Sequence, residues 1–214
     1  MQTTRDFNES GKPVEISDHL FQFIIGAIIF YGFALNWVIV SNVDASLLTP
    51  YAGTVLIGYV VSAIIAAIIT TKSKSPVVSF LGYNILVVPA GLMLVLALDG
   101  VPQNTIVGTI QLTSLITGLM MIVGMGFPGF FRSIIKICML ALLLTIAAEV
   151  VLFFVGVTLP LLNYVGIACL MVFIAFEWGT AVHSTNRTLD QAVDIACSMY
   201  LSILGLFLRL LNND

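Results

Sequence analysis

Charge is what this chain has least of. Asp, Glu, Lys and Arg make up 9% of its 214 residues, against about 25% in an average soluble domain. So few charges cannot clothe a surface that faces water, which excludes an ordinary soluble or disordered chain. Basic residues are too few for a nucleic-acid partner: eight Lys and Arg stand against eleven Asp and Glu, for a net charge of −3. Histidine occurs twice and cysteine three times. Cys138, Cys169 and Cys197 sit in apolar runs without CxxC spacing, so neither a disulfide framework nor a zinc site is expected. GxSxG, HExxH and phosphate-loop patterns are missing as well. No enzyme activity, no metal and no organic cofactor is expected.

What is abundant is apolar. Hydrophobic types reach 59%, and the mean hydropathy is +1.10. About 20 helical residues cross the hydrocarbon of a bilayer. Long uncharged stretches separated by polar or Gly/Pro clusters (Thr49-Pro50, Lys72 to Pro76, Asp99 to Pro102, Gly126 to Gly129) give seven spans. They are roughly 20–41, 51–71, 77–98, 105–126, 133–156, 160–181 and 191–211, the fifth and sixth forming a tight hairpin broken near Gly156, Pro160 and Asn163. The runs are continuous rather than alternating, which argues against a β-barrel. The expected fold is an all-α membrane protein, a seven-transmembrane-helix bundle in one domain (19–214). Residues 1–18 form a polar leader that lacks the basic start and cleavage site of a signal peptide.

Orientation follows from the basic residues. Arg5, Lys12, Lys72, Lys74, Arg132, Lys136 and Arg187 all fall on one side of a seven-span chain; only Arg209 falls near the other. Random placement gives such one-sidedness roughly once in 64, so the positive-inside rule puts the leader in the cytoplasm and the C-terminus outside.

Ionisable side chains within spans are costly and therefore candidates for function. Glu177 lies about 11 Å from the midplane at the inner end of span six, where a buried acid can sense protons. Glu149 lies deeper in span five, toward the outside, and needs a partner. Arg209, in the outer turn of span seven, is the basic residue closest in depth, so a structural ion pair is expected. Asp194 opens span seven behind Asp190, and both suit a helix N-terminus. His183 falls in the six–seven loop with Thr185, Asn186 and Arg187. Gly26, Gly32, Gly53, Gly58, Gly108, Gly118 and Gly124 are small residues that let helices approach closely, and the Ser, Thr and Asn of the spans can bond across helices.

The last forty residues carry a pattern. Phe176-Glu177 ends span six, and span seven reads Ser198-Met199-Tyr200-Leu201-Ser202, then Leu206-Phe207 and Leu210-Leu211. This resembles the Bax inhibitor family (transmembrane Bax inhibitor motif), whose last helix is central. Its pattern is an aromatic–acid pair, then Ser-Leu-Tyr-Leu-Asp, three residues, Leu-Phe, two residues and Leu-Leu. The likeness covers 174–211, about a fifth of the chain; Gly82-Tyr83, Pro89 and Thr113 are compatible with it. Two positions depart: Glu177 replaces the usual Asp, and Ser202 stands at the second Asp. Calcium-leak members pair those two carboxylates as a pH latch. A Glu with a Ser resembles the bacterial YccA-like branch, which is associated with the FtsH membrane protease.

The resemblance implies a multi-pass protein of the cell (inner) membrane that regulates membrane proteins such as that protease. An alternative is a pH-modulated calcium or cation leak, with calcium as transported ion and Glu177, Ser202, Glu149 and Asp194 as pH-sensing or ion-path candidates. Calcium wants six to eight oxygen ligands, so isolated carboxylates would bind it weakly. A small-solute transporter is a further alternative, though neither an internal repeat nor broken helices favour it.

Overall fold

The computed structural model of the chain describes residues 15–157 and 159–212. Its regular structure is all helical. Helix α1 runs Asp18–Asn42, the short α2 Ala45–Leu48, followed by a 3₁₀ turn (Thr49–Tyr51), and α3 Ala52–Lys72. Then come α4 (Pro76–Leu98), α5 (Gln103–Gly126), α6 (Pro128–Val155), α7 (Pro160–Val182) and α8 (Leu189–Leu211). Seven helices among the described residues are long and apolar enough to cross a membrane, α2 and its 3₁₀ turn counting as the lead-in to α3. The expected seven spans are therefore present. The leader expected at 1–18 falls mostly outside the described residues, and α1 already begins at Asp18.

Local chemistry sets the ends. Asp44 caps α2 by accepting a hydrogen bond from the Ser46 amide at 2.9 Å. Proline opens α4, α6 and α7, where its missing N–H is no loss. The α6–α7 hairpin turns at Gly156, whose φ of 72° suits glycine. The Val157 amide reaches back to the Leu152 carbonyl at 3.0 Å, closing the left-handed C-terminal motif. Thr188 caps α8 by accepting from the Gln191 amide at 3.2 Å.

The chain divides into two compact units. Unit 1 comprises the described residues up to Leu96 together with Ser184–Cys197. Its core includes Phe21, Ile25, Tyr83, Leu86, Val87, Ala192 and Ala196, and the Tyr83 hydroxyl donates to the Ile28 carbonyl at 2.9 Å. Arg187 pairs with Asp18 at 2.6 Å, and the Ile16 amide donates to the Arg187 carbonyl. Unit 2 comprises Ala97–His183 and the described residues from Ser198 on. There α7 packs against both α5 and α6, and Leu170, Ile174 and Leu206 form a buried cluster. The division falls inside α8, so one helix supplies both units.

Large apolar side chains such as Phe30, Trp37, Leu81, Ile122 and Leu161 lie exposed. On helices of this composition that surface meets lipid. Lipid tails are as apolar as leucine, so helix association rests on close packing and interhelical polar bonds. Close packing uses fewer glycines than expected. At Gly124 an added methyl would run into the Ala175 backbone, and at Gly179 it would lie 2.7 Å from the Gly124 carbonyl oxygen. This is the tight α5–α7 crossing. Gly26, Gly53, Gly58, Gly108 and Gly118 face open space instead. Many hydroxyls also stay within their own helix. Thr109, Thr113 and Thr145 each bond the carbonyl four residues back, which satisfies them without a neighbour.

Candidate functional site

Tyr83 and Tyr31 tie α1 and α4 together. The polar bonds across helices that involve acidic or basic side chains of the spans all include α8. In unit 2, α7 brings Glu177 to within reach of two α8 hydroxyls. Glu177 is 6% exposed and Ser202 5%. The Ser198 hydroxyl donates to Glu177 Oε1, and the Ser202 hydroxyl lies 3.3 Å from Glu177 Oε2. Ser202 Oγ is also 3.0 Å from the Ser198 carbonyl oxygen, one turn back on its own helix.

A count of protons shows what this cluster can do. Two serines supply two hydroxyl protons, while three acceptors compete for them: both Glu177 oxygens and the Ser198 carbonyl. With Glu177 ionised, the Ser202 proton must choose between two acceptors. With Glu177 neutral, its own O–H can donate to Ser202 Oγ, and Ser202 then donates to the carbonyl. The tie between α7 and α8 persists in both states with different donors. It can therefore take up or release a proton without losing its geometry.

At a second place in unit 2, Arg209 of α8 grips Glu149 of α6. Its Nη1 donates to Oε1 at 2.7 Å and its Nη2 to Oε2 at 3.0 Å, the bidentate geometry that suits guanidinium and carboxylate. Asn163 of α7 completes the clamp. Its Oδ1 accepts from Arg209 Nη1 at 3.3 Å, and its Nδ2 donates to the Arg209 carbonyl at 2.9 Å. The guanidinium lies against Gly166, where any β-carbon would collide with it.

In unit 1, Asp190 in the first turn of α8 accepts from the Ser79 hydroxyl of α4 at 2.7 Å. Asp194 stands one turn further on. Comparison of the chain with protein-family models, curated proteins and solved structures found no match.

Of the residues singled out in the sequence, the structure thus brings Glu177 to Ser202 and Glu149 to Arg209. It places Asp194 with Asp190 in the other unit. His183 ends α7, its Nδ1 2.9 Å from the Gly179 carbonyl oxygen, a local contact. Sequence reasoning missed four participants. Ser198 was inside the quoted pattern, and its spacing of four from Ser202 put both on one helix face. Asn163 was noticed only as a break in the hairpin. Ser79 lies 111 residues from its partner, and no local pattern marks it. Gly166 was one more glycine in a chain of 17. No group of three or more His, Cys, Asp or Glu side chains suited to a metal ion occurs among the described residues.

Proposed function

We propose that this multi-pass membrane protein is a non-enzymatic regulator of the Bax inhibitor type, acting by binding other membrane proteins, with a membrane protease as the partner class. The single observation that carries this reading is the hydroxyl environment of Glu177. In the resemblance described above, a Glu paired with Ser goes with the protease-associated branch, and two facing carboxylates go with calcium leak. Here both Glu177 oxygens meet serine hydroxyls. The proposal places the protein in the cell (inner) membrane, as the resemblance implies, and puts the leader in the cytoplasm on the strength of the one-sided basic residues.

Two measurements test it. The full chain and a variant lacking residues 1–16 are expressed in membranes, and capture of a membrane protease is compared together with cellular half-life. Capture by the full chain, weakened by the deletion while the helices remain folded, supports the reading. Unchanged capture and half-life remove the leader from it, and absence of any captured membrane protein overturns it. In parallel, calcium entry into dye-loaded liposomes is recorded at pH 6 and pH 8. No flux above empty liposomes is expected. A pH-dependent flux lost in Glu177→Gln would establish the cation-leak alternative in its place.

A further inference from the structure

Unit 1 is also closed by a contact away from Glu177. The segment that leads into α1 and the loop that leads into α8 meet at one residue, Arg187. The Ile16 amide donates to the Arg187 carbonyl oxygen at 2.8 Å. Arg187 Nη1 in turn donates to Asp18 Oδ1 at 2.6 Å. The backbone and side chain of a single loop residue therefore hold two points of the entering chain, one on each side of Ser17, the N-cap of α1.

This contact is weak enough to open. The Asp18 side chain is 59% exposed and that of Arg187 28%, and an ion pair so open to water adds little to stability. Opening it leaves α1 with its own first bond, from the Phe21 amide to the Ser17 carbonyl at 2.9 Å. The loop, by contrast, is braced onto α8. Ser184 Oγ lies 3.2 Å from both the Asn186 carbonyl oxygen and Gln191 Oε1. Thr188 accepts from the Gln191 amide through its hydroxyl and from the Ala192 amide through its carbonyl. Arg187 sits among those braces, so a displacement of its backbone reaches the first turn of α8. In that turn Asp190 accepts from the Ser79 hydroxyl of α4, which is 0% exposed.

We propose that Ile16–Asp18 is a strap: fastened to Arg187 it holds the first turn of α8 against α4, and a partner that takes the leader unfastens it and loosens that turn. The inference rests on the reading above, in which the leader is what a partner grips, and adds where in the fold that grip is felt. Linkage gives it a measurable sign. Whatever binds the leader only with the strap open gains affinity when the strap is already open.

A Fab raised against a peptide of residues 8–17 is the probe. Its epitope includes the Ile16 amide, and it needs no natural partner, so the strap can fail while the partner-binding reading stands, and the converse. With the full chain in lipid bilayers, the Fab is expected to bind Arg187→Ala up to about fivefold more tightly than the natural chain, the factor an exposed ion pair is worth. The charge swap, Asp18→Arg with Arg187→Asp, should return the affinity toward that of the natural chain. In the natural chain, saturating Fab should speed amide hydrogen exchange across residues 184–191. It should also widen the separation of spin labels at the exposed Val77 and Leu189, in a background without native cysteines. In Arg187→Ala the exchange is expected to be fast before the Fab is added, and the Fab to add little. Equal affinity for the natural chain and Arg187→Ala overturns the strap. Tighter binding with unchanged exchange and label separation overturns its transmission to α8.

Discussion

Glu149 and Glu177 belong to the same unit, and each ties its helix to α8, yet their partners are opposite in kind. Glu149 meets a guanidinium held in a fixed bidentate grip. Glu177 meets two neutral hydroxyls. The first arrangement joins opposite charges in one fixed geometry. The second is indifferent to charge, because serine donates or accepts equally well. Exposure differs as well: the Glu149 side chain is 37% exposed, whereas Arg209 is 14% exposed. The lesson is that a polar contact inside a membrane helix bundle can be built to hold or built to change, and the partner chemistry decides which.

The comparison breaks most severely at Arg209. Arg209→Ala is expected to destabilise the fold by about 3 kcal/mol. That is the low end for removing one member of a buried pair, because Glu149 is partly solvated. Equilibrium unfolding in mixed micelles should show this, and the same substitution in Glu149→Gln should cost clearly less. Next comes Gly166→Ala, which leaves both charged residues in place but displaces the guanidinium from its seat. A loss of about 1–3 kcal/mol is expected from overpacking. If the cause is the seat, the loss shrinks in Arg209→Ala. The Glu177 side gives smaller and split effects. Glu177→Ala removes the acceptor that two serines share and is expected to cost about 1 kcal/mol, within the range of interhelical bonds in membranes. Glu177→Gln, whose carboxamide both donates and accepts, should be close to neutral. A Gln variant as damaged as the Ala variant would show that the charge itself is needed.

The smallest effect lies outside the spans, at Asp44. Its capping bond to the Ser46 amide, made stronger by the negative charge, lowers its pKa. A lowered pKa means stabilisation that is fully present at neutral pH and fades as acid protonates the carboxylate. Asp44→Asn should therefore differ from the natural chain slightly at neutral pH and not at all in strong acid.

Helix number was legible because crossing lipid demands long uncharged runs, and seven of them stand out in the sequence. Helix ends were less so. Span five was expected to open at 133, but Pro128 starts α6 five residues earlier, since proline is as much a helix opener as a breaker. The α2 turn (Ala45–Leu48) was invisible inside an apolar run that Pro50 merely interrupts. Depth counting brought Glu149 and Arg209 into register, because charge in lipid leaves few choices of partner. It could not reveal Ser79 or Gly166, whose roles depend on which faces of separate helices meet. Glycine frequency misled for the same reason: a small residue permits contact, but the facing helix decides whether contact is made.

The Glu149–Arg209 clamp also imposes an order on synthesis. The two residues are 60 positions apart, and the carboxylate is made first. At about 5–20 residues per second, the acid waits about 3–12 seconds for its counterion, the last ~1–5 of them with the α6–α7 hairpin already complete. Only the arrival of the last helix supplies the counterion. A chain stalled before α8 would carry a lone carboxylate among apolar helices, a state that cellular quality control can distinguish from the finished protein by charge alone.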